Sequence, residues 1–306
     1  MSFTTEVKKE LTQAAVTDGV MIALLRMNGV LGISNGLTLS ITTENTTTAR
    51  FIYKALSANY GIQASIRTHQ KTTLSKNRVY TLVISDKVSE VLDRFELADS
   101  LLLDHGVPDS VKFDEKMAVD YLRGAFLSSG SVSDPEHAKY HLEIASYYEE
   151  HALDLQQLLA TFGIVSKTIV RKTRVVTYLS NSEMLIDFLS LIGANKARFK
   201  FEDAKIVREM RNRANRQTNF EAANIGKTVN AAQAVIEAIK LLQSQNKLPD
   251  NLREIALARI ANPDATIVAL GQTLATPLGK SGVNHRLRKI KELASQLPRA
   301  TDESRR

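Results

Sequence analysis

The chain has 306 residues, of which 43% are hydrophobic and 24% charged, a composition typical of globular proteins with packed cores. It contains no cysteine, which excludes disulfides, cysteine-based zinc sites, iron–sulfur clusters and thiol nucleophiles. The most apolar stretch, residues 20–33, is interrupted by Arg26 and Asn28, and the N-terminus lacks an apolar signal core. We therefore expect two or three domains, a cytoplasmic location and no membrane association.

The positive charge is concentrated in the last third of the chain. Residues 1–195 carry 19 Lys and Arg against 22 Asp and Glu, whereas residues 196–306 carry 21 against 11. A local excess of cations is typical of polyanion binders, because Lys and Arg displace the counterions condensed on phosphates. A basic surface without a nucleic-acid partner would give the same composition. Sequence motifs are therefore needed to distinguish a polyanion binder from such a surface.

The first two thirds of the chain contain an internal repeat. Apolar helices are predicted to end at Gly29 and at Gly130, and each is followed by the same order of elements. The matching elements are strands 36–41 and 140–145, helices 46–60 and 149–162, hairpins 64–68 with 78–85 and 166–170 with 174–181, and helices 86–95 and 182–192. This order predicts a tandem α/β duplication over residues 1–195, with repeats at about 1–100 and 115–195.

The strand patterns stop after residue 195, and helical patterns follow. Residues 196–223 are predicted to form a basic helical linker, and residues 224–306 an all-α domain that begins with helix 225–243. Its last three helices are predicted at 252–261, 265–274 and 281–297, with Asp264 and Ser281 as N-caps. The predicted fold class is α+β: a duplicated α/β domain followed by an all-α helix-turn-helix domain.

The last two helices have the pattern of a helix-turn-helix whose second helix enters the major groove. Asn284, Arg286 and Arg288 are candidates for reading bases, because Arg can bond guanine and Asn adenine in bidentate fashion. Lys280 and Ser281 would contact phosphate at the helix N-terminus. The predicted DNA-binding residues are Lys280, Ser281, Asn284, His285, Arg286, Arg288, Lys289 and Lys291, with secondary contacts from Arg208, Arg211, Arg213 and Arg216. A solvated face on a structural helix is the alternative.

Two sets of residues resemble known families. Apolar helices that end in glycine and lead small α/β repeats resemble the LAGLIDADG homing-endonuclease fold. The segments LRGAFLSSGSVSDP (122–135) and LGKSGVNHRLRKIKEL (278–293) are similar to WhiA, a family of bacterial sporulation and cell-division transcription factors. This resemblance covers essentially the whole chain. It implies a degenerate LAGLIDADG domain joined to a helix-turn-helix that binds promoter DNA at the nucleoid and affects division, chromosome segregation or sporulation.

The resemblance also implies where a nuclease would bind its metal. In that fold each repeat helix carries an acid just before its final glycine, and the two acids hold divalent ions. Asn28 and Ser129 stand at those positions. Because an amide and a hydroxyl cannot replace two carboxylates around a hard cation, we expect no catalytic residue, no metal and no cofactor. A relocated metal site using Asp18 or Asp134 is the alternative.

Three functions fit these patterns. The first is a non-enzymatic regulator that binds double-stranded DNA at specific sequences, with other transcription or division proteins as further partners. The second is a metal-dependent DNA endonuclease, and the third is a protein- or RNA-binding adaptor. The hairpins offer a second cationic surface at Arg67, Lys71, Lys76, Arg78, Lys167, Arg171, Lys172 and Arg174. The negative net charge of residues 1–195 argues against strong independent DNA binding there.

Overall fold

The computed structural model describes residues 2–33, 36–70, 78–97, 105–136 and 139–297. They form two compact units, Met1–Arg208 and Glu209–Arg306. The first unit is α/β and the second is all-α, which confirms the α+β class. The finer division into 1–195, 196–223 and 224–306 stays a prediction. Among the described residues, no helix is both long and apolar enough to cross a lipid bilayer.

The first unit contains two repeats of the same topology. The first comprises α1 (Phe3–Leu11), α2 (Asp18–Asn28), β1 (Gly29–Gly32), β2 (Thr38–Thr43), α3 (Thr46–Tyr60), β3 (Ser65–Gln70), β4 (Arg78–Ile84) and α4 (Val88–Arg94). The second comprises α5 (Asp109–Lys112), α6 (Glu115–Ser129), β5 (Gly130–Val132), β6 (Leu142–Ser146), α7 (Glu149–Thr161), β7 (Lys167–Arg171), β8 (Arg174–Leu179) and α8 (Ser182–Leu191). Both sheets are antiparallel, with orders β1-β2-β4-β3 and β5-β6-β8-β7. The identical order confirms the duplication.

Strands β1 and β5 are absent from the sequence prediction, which places the first strand of each repeat several residues later. Gly29 and Gly130 are not left-handed helix caps; both are extended, with φ of −82° and −65°, so each helix passes directly into a strand. A Cβ atom at either position would clash with a carbonyl oxygen, of Leu25 in one repeat and of Phe126 in the other. Glycine is therefore required for close approach rather than for a turn.

The two repeats meet where α2 packs against α6. A Cβ atom at Gly124 of α6 would lie 2.6 Å from the Val20 carbonyl oxygen and 2.7 Å from Ala23 Cβ. At Gly19 of α2, a Cβ atom would lie 2.9 Å from Asp120 Cβ. The small residues Gly19, Ala23 and Gly124 thus let the two helices approach closely. A hydrophobic core runs continuously through both repeats around this helix pair.

Helix α9 (Asn195–Ser244) is one continuous helix, whereas the sequence predicts separate helices at 198–216 and 225–243. No proline interrupts it, and a single Gly226 costs only about 1 kcal/mol relative to alanine, too little to end a long helix. Its first turn is held by α1, because the Glu10 carboxylate accepts hydrogen bonds from the Lys196 and Ala197 amides at 2.7 and 3.2 Å.

The second unit packs the end of α9 with three further helices, α10 (Asp250–Ala261), α11 (Ile267–Gln272) and α12 (Lys280–Ser295). Both predicted N-caps are wrong. Thr266 caps α11, with its hydroxyl accepting from the Ala269 amide at 3.2 Å, and Gly279 is the N-cap of α12, so Ser281 lies within the first turn. Asp264 belongs instead to a loop that the buried Arg259 fixes by donating to the Ala265 carbonyl at 2.8 Å.

A buried histidine links two elements of the second repeat. His151 of α7 lies with Nε2 2.7 Å from the Tyr121 hydroxyl and with Nδ1 2.8 Å from the Ser146 hydroxyl. Burial lowers the pKa of His151 to about 4 and raises the pKa of the Tyr121 hydroxyl. The imidazole is therefore neutral in the folded protein at neutral pH.

This depressed pKa predicts a loss of stability in mild acid. An unfolded histidine is protonated below about pH 6.5, whereas folded His151 stays neutral down to about pH 4. The unfolded state therefore binds the extra proton, and the folded protein loses roughly 3 kcal/mol between pH 6.5 and 4. Urea unfolding followed by circular dichroism at stepped pH measures this slope. His151→Gln should flatten it and His285→Gln, on an exposed histidine, should not; identical slopes for all three proteins would contradict the assignment.

Candidate nucleic-acid interface

A short turn fixes the orientation of α12 relative to α11. The Leu278 amide donates to the Gly271 carbonyl at 3.1 Å, and a Cβ atom at Gly271 would clash with the Leu278 carbonyl oxygen. From the other side, Glu254 of α10 accepts a hydrogen bond from the Ala275 amide at 2.6 Å. The turn is thus held by both neighbouring helices, and α12 has a defined direction.

Helix α12 buries one side and presents the other to solvent. Val283, Leu287 and Ile290 are buried. The exposed members of the predicted set are Lys280, Ser281, Asn284, His285, Arg288, Lys289 and Lys291. Arg286 differs because it is half-buried, and at two residues from Arg288 it lies on the opposite flank of the helix. The structure therefore brings Asn284 and Arg288 to one side but separates Arg286 from them.

Asn284, Arg288 and Lys291 line a groove of about 560 Å³ whose opposite wall comes from α9. Lys227 and Thr228 are among the α9 residues on that wall. Two cations of α12 flank Glu292, with Arg288 Nε at 3.6 Å and Lys289 Nζ at 3.8 Å from its carboxylate. Exposed ion pairs of this kind contribute at most about 1 kcal/mol, so these cations can exchange the carboxylate for a phosphate at little cost.

The predicted secondary cations fall into two groups. Arg208 is engaged within the first unit, where it donates to the Pro135 carbonyl at 3.3 Å and lies 4.5 Å from the centre of the Tyr140 ring. Arg211, Arg213 and Arg216 are exposed on α9. Only these last three have the accessibility that a phosphate contact requires.

Some of the hairpin cations form hydrogen bonds with neighbouring side chains. Arg171 donates to the Glu143 carboxylate at 2.8 Å, and Arg174 donates to the Tyr147 hydroxyl at 2.6 Å. Arg67, Arg78, Lys167 and Lys172 are exposed. Lys71 and Lys76 lie outside the described residues.

Asn28 and Ser129 lie at the ends of α2 and α6, on the wall of a cleft of about 1110 Å³ between the repeats. Ser129 Oγ donates to the Ala145 carbonyl at 2.7 Å, so its hydroxyl serves the sheet. Asn28 Oδ1 accepts from Ser128 Oγ at 3.0 Å, while Asn28 Nδ2 is buried without a hydrogen-bond partner in the described part of the chain. Within those same residues, no group of three or more His, Asp or Glu is placed to hold a metal.

The alternative metal ligands do not join this cleft. Asp18 begins α2, at the opposite end of the helix from Asn28, where its carboxylate accepts from the Tyr60 hydroxyl at 2.8 Å. Asp134 accepts from the Glu136 amide in a loop after β5. Neither carboxylate is among the residues that line the cleft.

Lys8 is a buried cation on the same cleft and is not among the residues predicted from the sequence. Lys8 is only 7% exposed, and Nζ donates to the Ser128 carbonyl at 3.4 Å. No carboxylate among the described residues forms an ion pair with it. Burial lowers the pKa of Lys8 to about 8. Its place in α1 between the apolar Val7 and Leu11 is the signal that could have indicated an inward-facing lysine.

Comparison with known proteins identifies the family. Residues 18–98 match the model of the WhiA N-terminal LAGLIDADG-like domain, residues 118–211 the WhiA LAGLIDADG-like domain and residues 214–294 the WhiA C-terminal HTH domain. The chain is 59% identical over 300 residues to the probable cell division protein WhiA of Lactococcus lactis subsp. lactis (strain IL1403), covering 97% of this chain and 98% of that protein. The chain belongs to the WhiA family.

Two further WhiA proteins extend this result. The probable cell division protein WhiA of Streptococcus suis (strain 05ZYH33) is 48% identical over 303 residues, covering 97% of this chain and 99% of that protein. The crystal structure of full-length WhiA from Thermatoga maritima has the same fold, with a TM-score of 0.61 over 98% of this chain and 100% of that chain at 24% identity. The resemblance to WhiA expected from the two sequence motifs is confirmed.

Replacement of Lys8 by an apolar residue of similar length should stabilise this WhiA protein. Lys8→Met removes an ammonium whose pKa is lowered from 10.5 to about 8, which corresponds to roughly 3 kcal/mol at pH 7. The gain should shrink between pH 8 and 10.5, where folded Lys8 is neutral but the unfolded lysine is still protonated. Urea unfolding at pH 7 and pH 10 measures both effects. The exposed neighbour provides the control, since Lys9→Met should change stability by less than about 0.5 kcal/mol. A destabilised Lys8→Met protein at pH 7 would contradict the expectation.

Proposed function

We propose that this WhiA-family protein is a non-enzymatic, sequence-specific regulator that binds double-stranded DNA through α12. The observation that carries the proposal is the exposed, cationic side of α12, held in a fixed direction by the tight contact between Gly271 and Leu278. A major groove about 12 Å wide admits one α-helix, and a helix-turn-helix inserts its second helix there. The match of this region to the WhiA HTH model supports the same conclusion.

The side chains of α12 have distinct roles in this proposal. Asn284 and Arg288 contact base edges, because they are exposed together on one flank. Lys280 and Ser281 bind phosphate at the first turn, where helical amides are unpaired. The remaining predicted residues hold the DNA backbone on both sides of the helix: His285, Arg286, Lys289 and Lys291 on α12, and Arg211, Arg213 and Arg216 on α9.

The proposed regulator does not cleave DNA. Asn28 and Ser129, at the ends of the paired helices, supply an amide and a hydroxyl where metal-dependent cleavage needs carboxylates. The relatives named probable cell division protein support a role in cell division. A role in chromosome segregation or sporulation is part of the same proposal. We therefore infer that the protein acts at the nucleoid in the cytoplasm, with other transcription or division proteins as partners.

Substitution of the base-reading residues should abolish sequence discrimination. A duplex is first selected from a random pool by the full chain, and its affinity is then compared with that of a scrambled duplex. Arg288→Ala combined with Asn284→Ala should reduce the ratio of the two affinities by at least about tenfold, because each bidentate contact contributes roughly 1–3 kcal/mol. Arg253→Ala, on an exposed arginine of α10 paired with Asp250, is the matched control.

Contacts to the phosphate backbone of DNA are tested by a separate affinity measurement. Lys291→Ala should weaken selected and scrambled duplexes equally and reduce the slope of log affinity against log salt by about 1. The selected duplex should also remain intact with Mg²⁺ or Mn²⁺. Unchanged discrimination in the double variant, or no selected duplex at all, would overturn the proposal.

A further inference from the structure

The cleft between the two repeats has the size of a small-molecule site. Its volume of about 1110 Å³ is slightly larger than the 300–1,000 Å³ typical of ligand pockets. Among the described residues that line it, the charged side chains are Lys8, Arg26, Glu44 and Arg174, so cations outnumber carboxylates within that part of the chain. Arg26 itself is anchored, since its guanidinium donates to the carbonyls of Glu96 and Gly106. The excess of positive charge favours an anion.

Hydrogen-bond donors cluster at the point where the helix ends meet. Both polar groups of Ser128 take part, because Lys8 Nζ donates to the Ser128 carbonyl and Ser128 Oγ donates to Asn28 Oδ1. An ammonium has three donors, and a contact of 3.4 Å satisfies one of them weakly. Asn28 Nδ2 adds a buried donor without a partner in the described residues. Such groups cost free energy unless an acceptor binds them, and a phosphate provides several acceptors.

Packing does not explain why Lys8 is a lysine. Lys8 is more than nine-tenths buried, and burying its ammonium costs free energy of folding. A methionine at the same position would fit among the apolar side chains of α1 without that cost. A residue that costs stability on the wall of a cleft is typical of a binding site. Lys8 is among the residues that line the cleft.

Aromatic side chains lie on the same wall. Tyr147 and Tyr148 join β6 to α7 and are 59% and 50% exposed. One face of each is covered by a neighbour: His105 stacks on Tyr148 with ring centres 3.5 Å apart, and the Arg174 guanidinium lies 4.3 Å from the centre of the Tyr147 ring. Both tyrosines remain at least half exposed and line the cleft. Rings presented in this way stack on nucleobases without regard to sequence.

We propose that this cleft binds a nucleoside monophosphate, with the phosphate at Lys8 and Asn28 and the base against Tyr147 and Tyr148. A free mononucleotide is favoured over a duplex because the ammonium of Lys8 is buried. A phosphate within a duplex is joined to its backbone on both sides, whereas a monoester phosphate has a free end that can reach a buried ammonium.

The test is calorimetric titration of the full chain with AMP, GMP, CMP and UMP at millimolar concentration. Inorganic phosphate and the four nucleosides are the partial probes. At least one mononucleotide should bind, and it should bind more tightly than phosphate and than its own nucleoside. Lys8→Met should weaken that binding by at least about tenfold, the loss expected for a hydrogen bond to a charged group. Tyr147→Ala should weaken it severalfold.

Lys9→Met, which changes an exposed lysine of the same helix, should bind as the unchanged chain does. Thermal unfolding of each variant shows that it is folded, and Lys8→Met is expected to unfold at a higher temperature, so its loss of binding cannot reflect unfolding.

Three outcomes would overturn the proposal. The first is that none of the four mononucleotides binds; if Lys8→Met then also loses affinity for a duplex, the cleft is a duplex-binding groove. The second is that Lys8→Met binds mononucleotides as tightly as the unchanged chain. The third is that phosphate binds as tightly as every mononucleotide, since the aromatic rings then contribute nothing.

Discussion

The close packing of α2 against α6 is the contact on which the first unit depends. At Gly124 the two helices approach so closely that a methyl group would meet the Val20 carbonyl oxygen at 2.6 Å. A close-packed interior leaves no room for one helix to move against the other, so the ends of α2 and α6 are fixed relative to each other. This places Asn28 Oδ1 3.0 Å from Ser128 Oγ across the boundary between the repeats. The geometry of the cleft therefore follows from backbone packing rather than from polar contacts within it.

The chemistry at these helix ends is that of donors rather than acceptors. A metal-binding pair of helix ends supplies carboxylates, whereas this cleft supplies Lys8 and the amide nitrogen of Asn28. Donors and a cation attract anions and repel divalent metal ions. The second unit uses positive charge differently, on an open helix face where Arg288 and Lys291 are exposed to solvent. The first unit thus has a cleft in which the described charged residues are mainly cations, and the second unit has an exposed cationic helix face.

Local patterns predicted most elements, but tertiary contacts decided the rest. Helix 46–60 and the hairpin order follow from periodicity, and α3 has the predicted bounds. Strands β1 and β5 could not be predicted because Gly29 and Gly130 look like helix caps, and only the packed structure shows that each is required for a close approach. The free-energy cost of Lys8 could not be predicted because it arises from burial of this lysine against the second repeat, a contact that only the folded chain makes. On α12 the spacing identified the exposed residues, but not the flank on which Arg286 lies.

Manganese binding tests the central claim most directly, because Mn²⁺ suits a carboxylate site and is detected by anomalous diffraction. Crystals of the full chain soaked in Mn²⁺ should show no anomalous peak within coordination distance of Asn28 and Ser129. Asn28→Asp combined with Ser129→Asp provides the positive control, since two carboxylates at the fixed helix ends should recruit the ion. A Mn²⁺ ion bound between Asn28 and Ser129 in the unchanged chain would contradict the account.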